Sequence, residues 1–302
     1  MSSKHATMPP LTRNNTIHQN KQSLKRGWFD IKRKLSPSLN IVTFYHQVNN
    51  PYSYLLLQAI PRFLEDFDVR LNIEFVFNLT DDTHQSLKEQ YALQDAARLA
   101  KFHQLTFPDN VQQPSASDAL RATSALLKHK DRPKLLHMAL EVTNAFWGIG
   151  TTTFDSCINR YGGLPEKTLH KQLKHSNDNL LNRGLTQSAM LYYGDEWYKG
   201  LDRLGHLAER LSIPGIRRED GETAHYQRQY QHVLQSYNTL RKRPKQTQTL
   251  DFYCSFNDPY SYLAAERVFK LAELYNFPVN IKPILGGDEA DALTNKTTRP
   301  HS

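Results

Sequence analysis

The sequence predicts an α/β fold with parallel strand pairing, and three observations carry that prediction. Residues 39–77 run from a β-branched, aromatic strand pattern through an apolar helix pattern to a second strand. The same order returns from residue 250, and a long helix-rich stretch lies between. Strand, helix and strand at this spacing give the right-handed crossover that sets neighbouring strands parallel. The two openings even share their lettering: N-N-P-Y-S-Y-L at residues 49–55 and N-D-P-Y-S-Y-L at 257–263, 208 positions apart.

The first strand is L-N-I-V-T-F-Y, a buried-strand composition. Asn50 and Pro51 open the helix Y-S-Y-L-L-L-Q-A-I-P-R-F-L, since proline fits the first turn, where its missing N–H is not needed. V-R-L-N-I-E-F-V-F at residues 69–77 alternates with period two, a second strand. Helices are expected at residues 95–102, 118–127, 134–147 and 166–181. Pro108, Pro114, Pro133 and the Gly162-Gly163 pair separate them. S-A-M-L-Y-Y at residues 188–193, a Gly194-Asp195 turn and a return strand over 196–199 make a hairpin, and residues 202–211 close with a helix. Residues 212–249, ending in R-K-R-P-K-Q-T-Q-T, read as a basic linker. From residue 250 a tandem duplication supplies strand, helix and strand again, then a polar end.

The 302 residues carry a net charge of +8, and the first forty hold eight lysines and arginines against Asp30 alone, or +7 of that total. Such a segment, rich in Asn, Ser, Thr and Gln, reads as a disordered, solvated leader over residues 1–38, and no recognition motif points to nucleic acid. Within it Trp28, Phe29, Ile31 and Leu35 fit a short amphipathic turn against the domain. No apolar run is long enough to span a membrane and no secretory segment is present, which predicts a cytoplasmic chain. Cys157 and Cys254 stand far apart, without the spacing of a disulfide framework, a zinc site or a dithiol centre. His46, His103, His137 and His206 have no metal-ligand spacing, and neither a phosphate loop nor a G-x-S-x-G elbow occurs.

Three passages carry a resemblance: F-Y-x-x-x-N-N-P-Y-S-Y-L, D-A-A-R-L-A-K-F-H-Q-L-T-F-P and S-A-M-L-Y-Y-G-D-E-W-Y-K-G-L-D-R-L. In this order they resemble the DsbA-like branch of the thioredoxin superfamily, most of all the 2-hydroxychromene-2-carboxylate isomerases and kappa-class glutathione transferases. The resemblance covers about residues 39–211. It implies a thioredoxin-like fold with a helical insertion over about residues 79–181, followed by a linker at 212–249 and an incomplete second thioredoxin-like copy at 250–302. That copy lacks the hairpin and helix that close the fold: either the chain is a truncated two-domain protein, which is the expectation, or the half-domain pairs with another sheet.

Through the resemblance the positions of the family's redox cysteines fall on Asn50 and Ser53, and in the second copy on Asp258 and Ser261. No thiol stands at either place, so dithiol exchange there is excluded. The relatives' serine before proline donates to the sulfur of glutathione. Asn50, with Ser53 the expected catalytic residue, could donate through its amide, whereas an ionised Asp258 only accepts. Asn50, Tyr52, Asn78, Ser188, Asp202 and Arg203 are the residues expected to hold glutathione. Asp202 reads equally well as a helix N-cap, and Asn78 as a turn residue. The family's cis-proline position falls on Ala189, where a cis bond costs about 2.5–4 kcal/mol, and this weakens presentation of the Ser188 backbone. Two functions stay open: a glutathione-dependent isomerase or transferase acting on a small molecule, or a non-catalytic thioredoxin-fold binding or scaffold protein. Oxidoreductase activity follows from family likeness alone. A homo-dimer is compatible with both.

Overall fold

The computed structural model describes residues 24, 26–32, 40–77, 85–109, 112–185, 187–212, 216–218 and 248–285. The chain divides into two compact units, Met1–Gln227 and Arg228–Ser302, each treated separately below. Asn78 lies outside the described residues.

In the first unit β1 (Ile41–His46) leads into α1 (Pro51–Glu65) and β2 (Arg70–Phe75). β1 and β2 pair in parallel, with Phe44 beside Ile73 and His46 beside Phe75. Five helices follow: α2 (Gln85–His103), α3 (Ala116–Lys128), α4 (Leu135–Phe146), α5 (Phe154–Tyr161) and α6 (Glu166–Asn182). The expected positions hold for three of them, and the segment expected at 95–102 is only the C-terminal part of α2, which begins ten residues earlier. The fifth, α5, escapes the sequence pattern, because eight residues with two buried positions give too short a periodicity. Its start is visible locally, in the cap that Thr153 Oγ1 gives the Ser156 N–H.

β3 (Met190–Tyr193) and β4 (Glu196–Lys199) then form the hairpin. Gly194 and Asp195 both adopt positive φ, +59° and +62°, the pair of left-handed positions a tight two-residue turn requires. β3 adds antiparallel to β1, so the sheet order is β2-β1-β3-β4. A 3₁₀ turn (Leu201–Arg203) and α7 (Leu204–Leu211) complete this part. A four-stranded mixed sheet with helices inserted between β2 and β3 is consistent with a thioredoxin-like fold.

The core lies between the sheet and the helices. Phe44, Tyr54, Leu56, Leu57, Ile60, Phe63, Phe75, Leu126, Val142 and Trp147 are almost fully buried in one apolar cluster. Ala96 and Ala100 let α2 approach α1 at Leu55. The inserted helices also fix polar groups. Trp147 Nε1 donates to the Val48 carbonyl at 3.1 Å, and the Tyr54 hydroxyl donates to Asn144 Oδ1 at 2.7 Å. α4 and its C-terminal residue therefore set the path of the loop between β1 and α1.

Two segments expected to be leader and linker contribute to the unit. Residues 26–32 are helical. Phe29 packs edge-on against Tyr193, and a Cβ on Gly194 would come within 3.0 Å of the Phe29 ring. Of the other leader apolars, Trp28 and Ile31 are exposed, and Leu35 lies outside the described residues. Arg210, only 12% exposed, donates to Glu196 at 2.8 Å and to Asp30 at 3.0 Å, and Arg26 also pairs with Glu196. Farther on, Ile216 is fully buried, and Phe67 and Arg217 form a bridge.

In the second unit β5 (Leu250–Cys254), α8 (Pro259–Tyr275) and β6 (Val279–Pro283) are described. β5 and β6 pair in parallel, and the register is that of the first unit. A shift of 208 turns Val42–Leu71 and Phe44–Ile73 into Leu250–Val279 and Phe252–Ile281.

The Arg210 cluster gives a direct test. Arg210→Ala leaves the partly buried Asp30 without its cation and Glu196 with Arg26 alone, and should lower the unfolding free energy by about 1–3 kcal/mol. Arg62→Ala, which removes an exposed pair with Glu65, should change it by under about 1 kcal/mol. Urea unfolding of the two variants beside the parent chain measures the difference.

Candidate functional site

The loop between β1 and α1 is built around the Ser53 hydroxyl. Asn50 takes an extended conformation (φ −96°, ψ 116°), and its Oδ1 accepts the Ser53 N–H at 3.0 Å, capping α1. Pro51 occupies the first turn, which holds no acidic residue. Ser53 is fully buried. Its Oγ accepts the Gln47 N–H at 3.1 Å and lies 2.8 Å from His46 Nδ1. His46 Nε2 lies 3.3 Å from Thr143 Oγ1 on α4.

Burial holds the His46 ring neutral, with its pKa down at about 3 against a weaker opposing pull from the Ser53 bond. A neutral ring has one donor and one acceptor. The ring therefore gives one of its two hydrogen bonds and receives the other, Ser53 Oγ at Nδ1 and Thr143 Oγ1 at Nε2 being the two partners. Ser53 thus reaches nothing outside the protein, and its part at this site is to hold the turn.

The other end of the Asn50 amide faces β3. Nδ2 donates to Ser188 Oγ at 3.0 Å, so Asn50 joins the helix start to the residues just before that strand. Ser188 and Ala189 are buried. No cis peptide occurs among the described residues, and Ala189 adopts a left-handed backbone, φ +59°. Its N–H donates to the Tyr45 carbonyl at 3.1 Å and its carbonyl accepts the Gly200 N–H at 2.8 Å. The main-chain groups of Ala189 are therefore engaged within the fold.

A polar group gathers beside this loop. The Tyr52 hydroxyl donates to Asp95 Oδ2 at 3.0 Å. The pKa of Tyr52 is raised, first by burial, then by the Asp95 hydrogen bond and charge, with a further contribution from Asp202. His103 is pushed down by burial while the Asp202 charge opposes the shift. The Asp202 carboxylate therefore acts through space on both Tyr52 and His103, and Asp95 faces the same phenol.

Asp202 is not a helix cap. The 3₁₀ turn begins at Gly200, whose φ is +55°, and α7 begins after Arg203, neither with a side-chain cap. That inserted turn moves the helix start two residues on and leaves the Asp202 carboxylate exposed. Arg203 is also exposed and donates to His206 Nε2 at 3.4 Å.

Of the expected ligand residues, Asn50 and Ser188 meet directly, and Tyr52 and Asp202 share one electrostatic neighbourhood. His46, Thr143, Asp95 and His103 are additions that the sequence pattern did not single out. His46 had one usable signal, since it continues the inward-facing alternation of Val42 and Phe44 at a strand end. Gln113 is another addition. Its amide donates to the Asn49 carbonyl at 2.7 Å, and its Oε1 is buried with no hydrogen-bond partner among the described residues. No cluster of three His, Cys, Asp or Glu suited to a metal occurs among the described residues, and no described helix is long and apolar enough to cross a membrane.

No family model matches the chain, and no curated protein matches it. Among solved structures, a 2-hydroxychromene-2-carboxylate isomerase aligns with 56% of this chain and 93% of its own, at 21% identity and a TM-score of 0.41.

The buried histidine predicts a defined acid response. Folded His46 binds its proton only near pH 3, whereas an unfolded histidine binds it near 6.5. Its contribution is fully present above about pH 6.5 and should be lost at about 1.4 kcal/mol per pH unit as pH falls toward 3. His46→Gln should be less stable than the parent at pH 8 and show a shallower loss between pH 6.5 and 5. Urea midpoints across that range measure both slopes, and parallel slopes would contradict a neutral buried His46.

Proposed function

We propose that the first unit binds a small zwitterionic thiol of the glutathione class at the N-terminal end of α1 and holds it without activating the thiol. The ligand class follows from charge. The amide end of α1, with no acid in its first turn, favours a carboxylate or thiolate. Asp95 and Asp202, on either side of Tyr52 in electrostatic terms, favour an ammonium group. In this reading Asp202 and Asp95 take the amine, Tyr52 lines the pocket, and Ser53 with His46 keeps the helix start rigid. Arg203 stands next to Asp202 as a further cation for a ligand carboxylate, and Ser188 bounds the pocket on the side of β3. Asn78 is kept as a ligand-loop candidate on the resemblance alone.

The observation that carries the non-catalytic part is Asn50. Its Oδ1 caps Ser53 and one amide hydrogen is engaged by Ser188. A thiolate would have to compete for a side chain already fixed at both ends. The enzyme reading has one point in its favour, the second amide hydrogen, which Asn50 still possesses. That hydrogen could donate to a glutathione thiolate adding to an electrophilic carbon. The new C–S bond would then be retained in transfer, or broken again to expel the thiolate in isomerisation.

We also propose that residues 250–285 repeat the first strand–helix–strand. The shared register supports it, and so do matching turn bonds. Ser255 N–H donates to Ser261 Oγ at 3.2 Å as Gln47 N–H does to Ser53 at 3.1 Å.

Titration calorimetry of the full chain with glutathione tests the ligand. Binding in the millimolar range or tighter is expected. Asp202→Ala and Asp95→Ala should each weaken it about tenfold, or roughly 1.4 kcal/mol, while Asn50→Ala stays within about threefold once circular dichroism confirms folding. Absence of binding at millimolar glutathione sinks the ligand assignment. Conjugation of an electrophile by the parent chain above the uncatalysed rate would decide for the enzyme, whereas conjugation appearing only in Asn50→Ser supports the binding protein.

A further inference from the structure

In the first unit β1 carries parallel β2 on one edge and antiparallel β3 on the other, at Thr43, Phe44 and Tyr45. In the second unit β5 carries parallel β6 in the same register, and among the described residues nothing pairs with its other edge. The residues corresponding to Thr43, Phe44 and Tyr45 are Asp251, Phe252 and Tyr253. Side chains around that edge are large and uncovered. Tyr253 is 57% exposed where Tyr45 is 1%, and Tyr262 is 71% exposed where Tyr54 is buried completely. The edge matches one that takes an antiparallel strand in the first unit, and an open edge of this kind is a template for pairing.

We propose that this edge pairs with β5 of a second copy of the chain, about a two-fold axis through Phe252. A two-fold axis perpendicular to the sheet makes the two β5 strands antiparallel by symmetry, the direction in which β3 meets β1. The resulting order is β6-β5-β5-β6, four strands as in the first unit. Centring on Phe252 is the one alignment that pairs all five residues. Phe252 faces its own copy, Leu250 faces the partner's Cys254, and Asp251 faces the partner's Tyr253.

Both faces are complementary in that register. Leu250, Phe252 and Cys254 form an apolar row continuous with its copy. On the other face Asp251 accepts from Lys282 at 2.7 Å and from Asn280 at 2.9 Å, and Lys282 lies 5.3 Å over the Tyr253 ring. Across the axis Asp251 meets the partner's Tyr253, whose hydroxyl is a donor within its reach. An aspartate opposite a tyrosine is a compatible cross-strand pair, and no like charges lie directly opposite, the two Asp251 side chains being diagonal neighbours across the axis. The pairing is independent of the ligand assignment in the first unit.

Sedimentation equilibrium of the full chain should show a dimer at tens of micromolar, and Phe252→Lys should weaken it at least tenfold. Because that variant could unfold β5, the register has its own readout. In Leu250→Cys the new thiol lies opposite the partner's Cys254, while the two thiols of one strand are about 13 Å apart, too far to bond. Oxidation with copper phenanthroline should therefore give a disulfide-linked dimer whose cross-linked peptide joins residues 250 and 254. Tyr253→Cys, out of line with both thiols, should link far more slowly. A monomer at 100 micromolar overturns the proposal. So does a dimer lacking the 250–254 link, since another segment or partner would then hold the edge.

Discussion

The Ser53 hydroxyl is the group on which the candidate site depends. It receives the Gln47 N–H, lies against His46, and sits under the Asn50 cap in the first turn of α1. A buried hydroxyl in that position must find partners for its hydrogen and its lone pairs, or it costs about 1–3 kcal/mol. His46 supplies a ring partner, and α4 in turn supplies Thr143 behind the ring. The inserted helices therefore do more than enlarge the core. Through Thr143, Asn144 and Trp147 they hold the three consecutive elements of the site, namely the end of β1, the loop and the first turn of α1. A neutral histidine is the only ionisation state compatible with this packing, because a charge there would lie in a shell of Phe44 and Phe75 rings.

Fixing the helix start in this way determines what remains for a ligand. The Asn50 amide spans from Ser53 to Ser188, so the helix end is bridged to β3 rather than left open above a cysteine or serine. The carboxylates of Asp95 and Asp202 stand around Tyr52, and their combined field is negative while that of the helix end is positive. Two poles of opposite sign are what the proposed zwitterionic ligand requires. Neither His46, locked neutral, nor Tyr52, held protonated, can move a proton near neutral pH.

The strand–helix–strand, the hairpin, three of the inserted helices and the end of α2 were legible because each has a period of its own: two for Val69–Phe77, near 3.6 for α3 and α6. Local chemistry also announced the Pro51 helix start and the Gly194-Asp195 turn. What the sequence hid was long-range. His46 and Thr143 are 97 positions apart, Tyr52 and Asp95 are 43 apart, and Asn50 and Ser188 are 138 apart. No periodicity links such residues; tertiary packing alone brings them together. Asp202 shows the opposite failure. Its place before an apolar helix looks like a cap, but the left-handed Gly200 starts a 3₁₀ turn first and carries the carboxylate out to solvent. Phe29 was legible as apolar and Arg210 as basic, yet their joint role in tying residues 26–32 to the hairpin needed the structure.

The two Pro-Tyr-Ser turns explain why the residue before proline differs. Asn50 and Asp258 adopt the same backbone geometry, φ −96° with ψ near 115°, so the turn itself makes no distinction between them. The distinction comes from the strand end. Where His46 stands in the first unit, Cys254 stands in the second, and a thiol is a poor acceptor for the serine hydroxyl. Ser261 turns its hydrogen to Asp258 Oδ2 at 2.8 Å instead, and the carboxylate accepts the Tyr260 and Ser261 N–H groups as well. An aspartate fits there because every neighbour is a donor, and those bonds hold its pKa below the usual carboxylate range. In the first unit Ser53 Oγ bonds to His46 and not to the cap, and the cap receives the Ser53 N–H through Oδ1. Its second atom is then free to be a donor, and asparagine, which has both, reaches Ser188. The strand-end residue thus selects the cap, and the cap sets whether the helix start offers a ligand an N–H or a carboxylate.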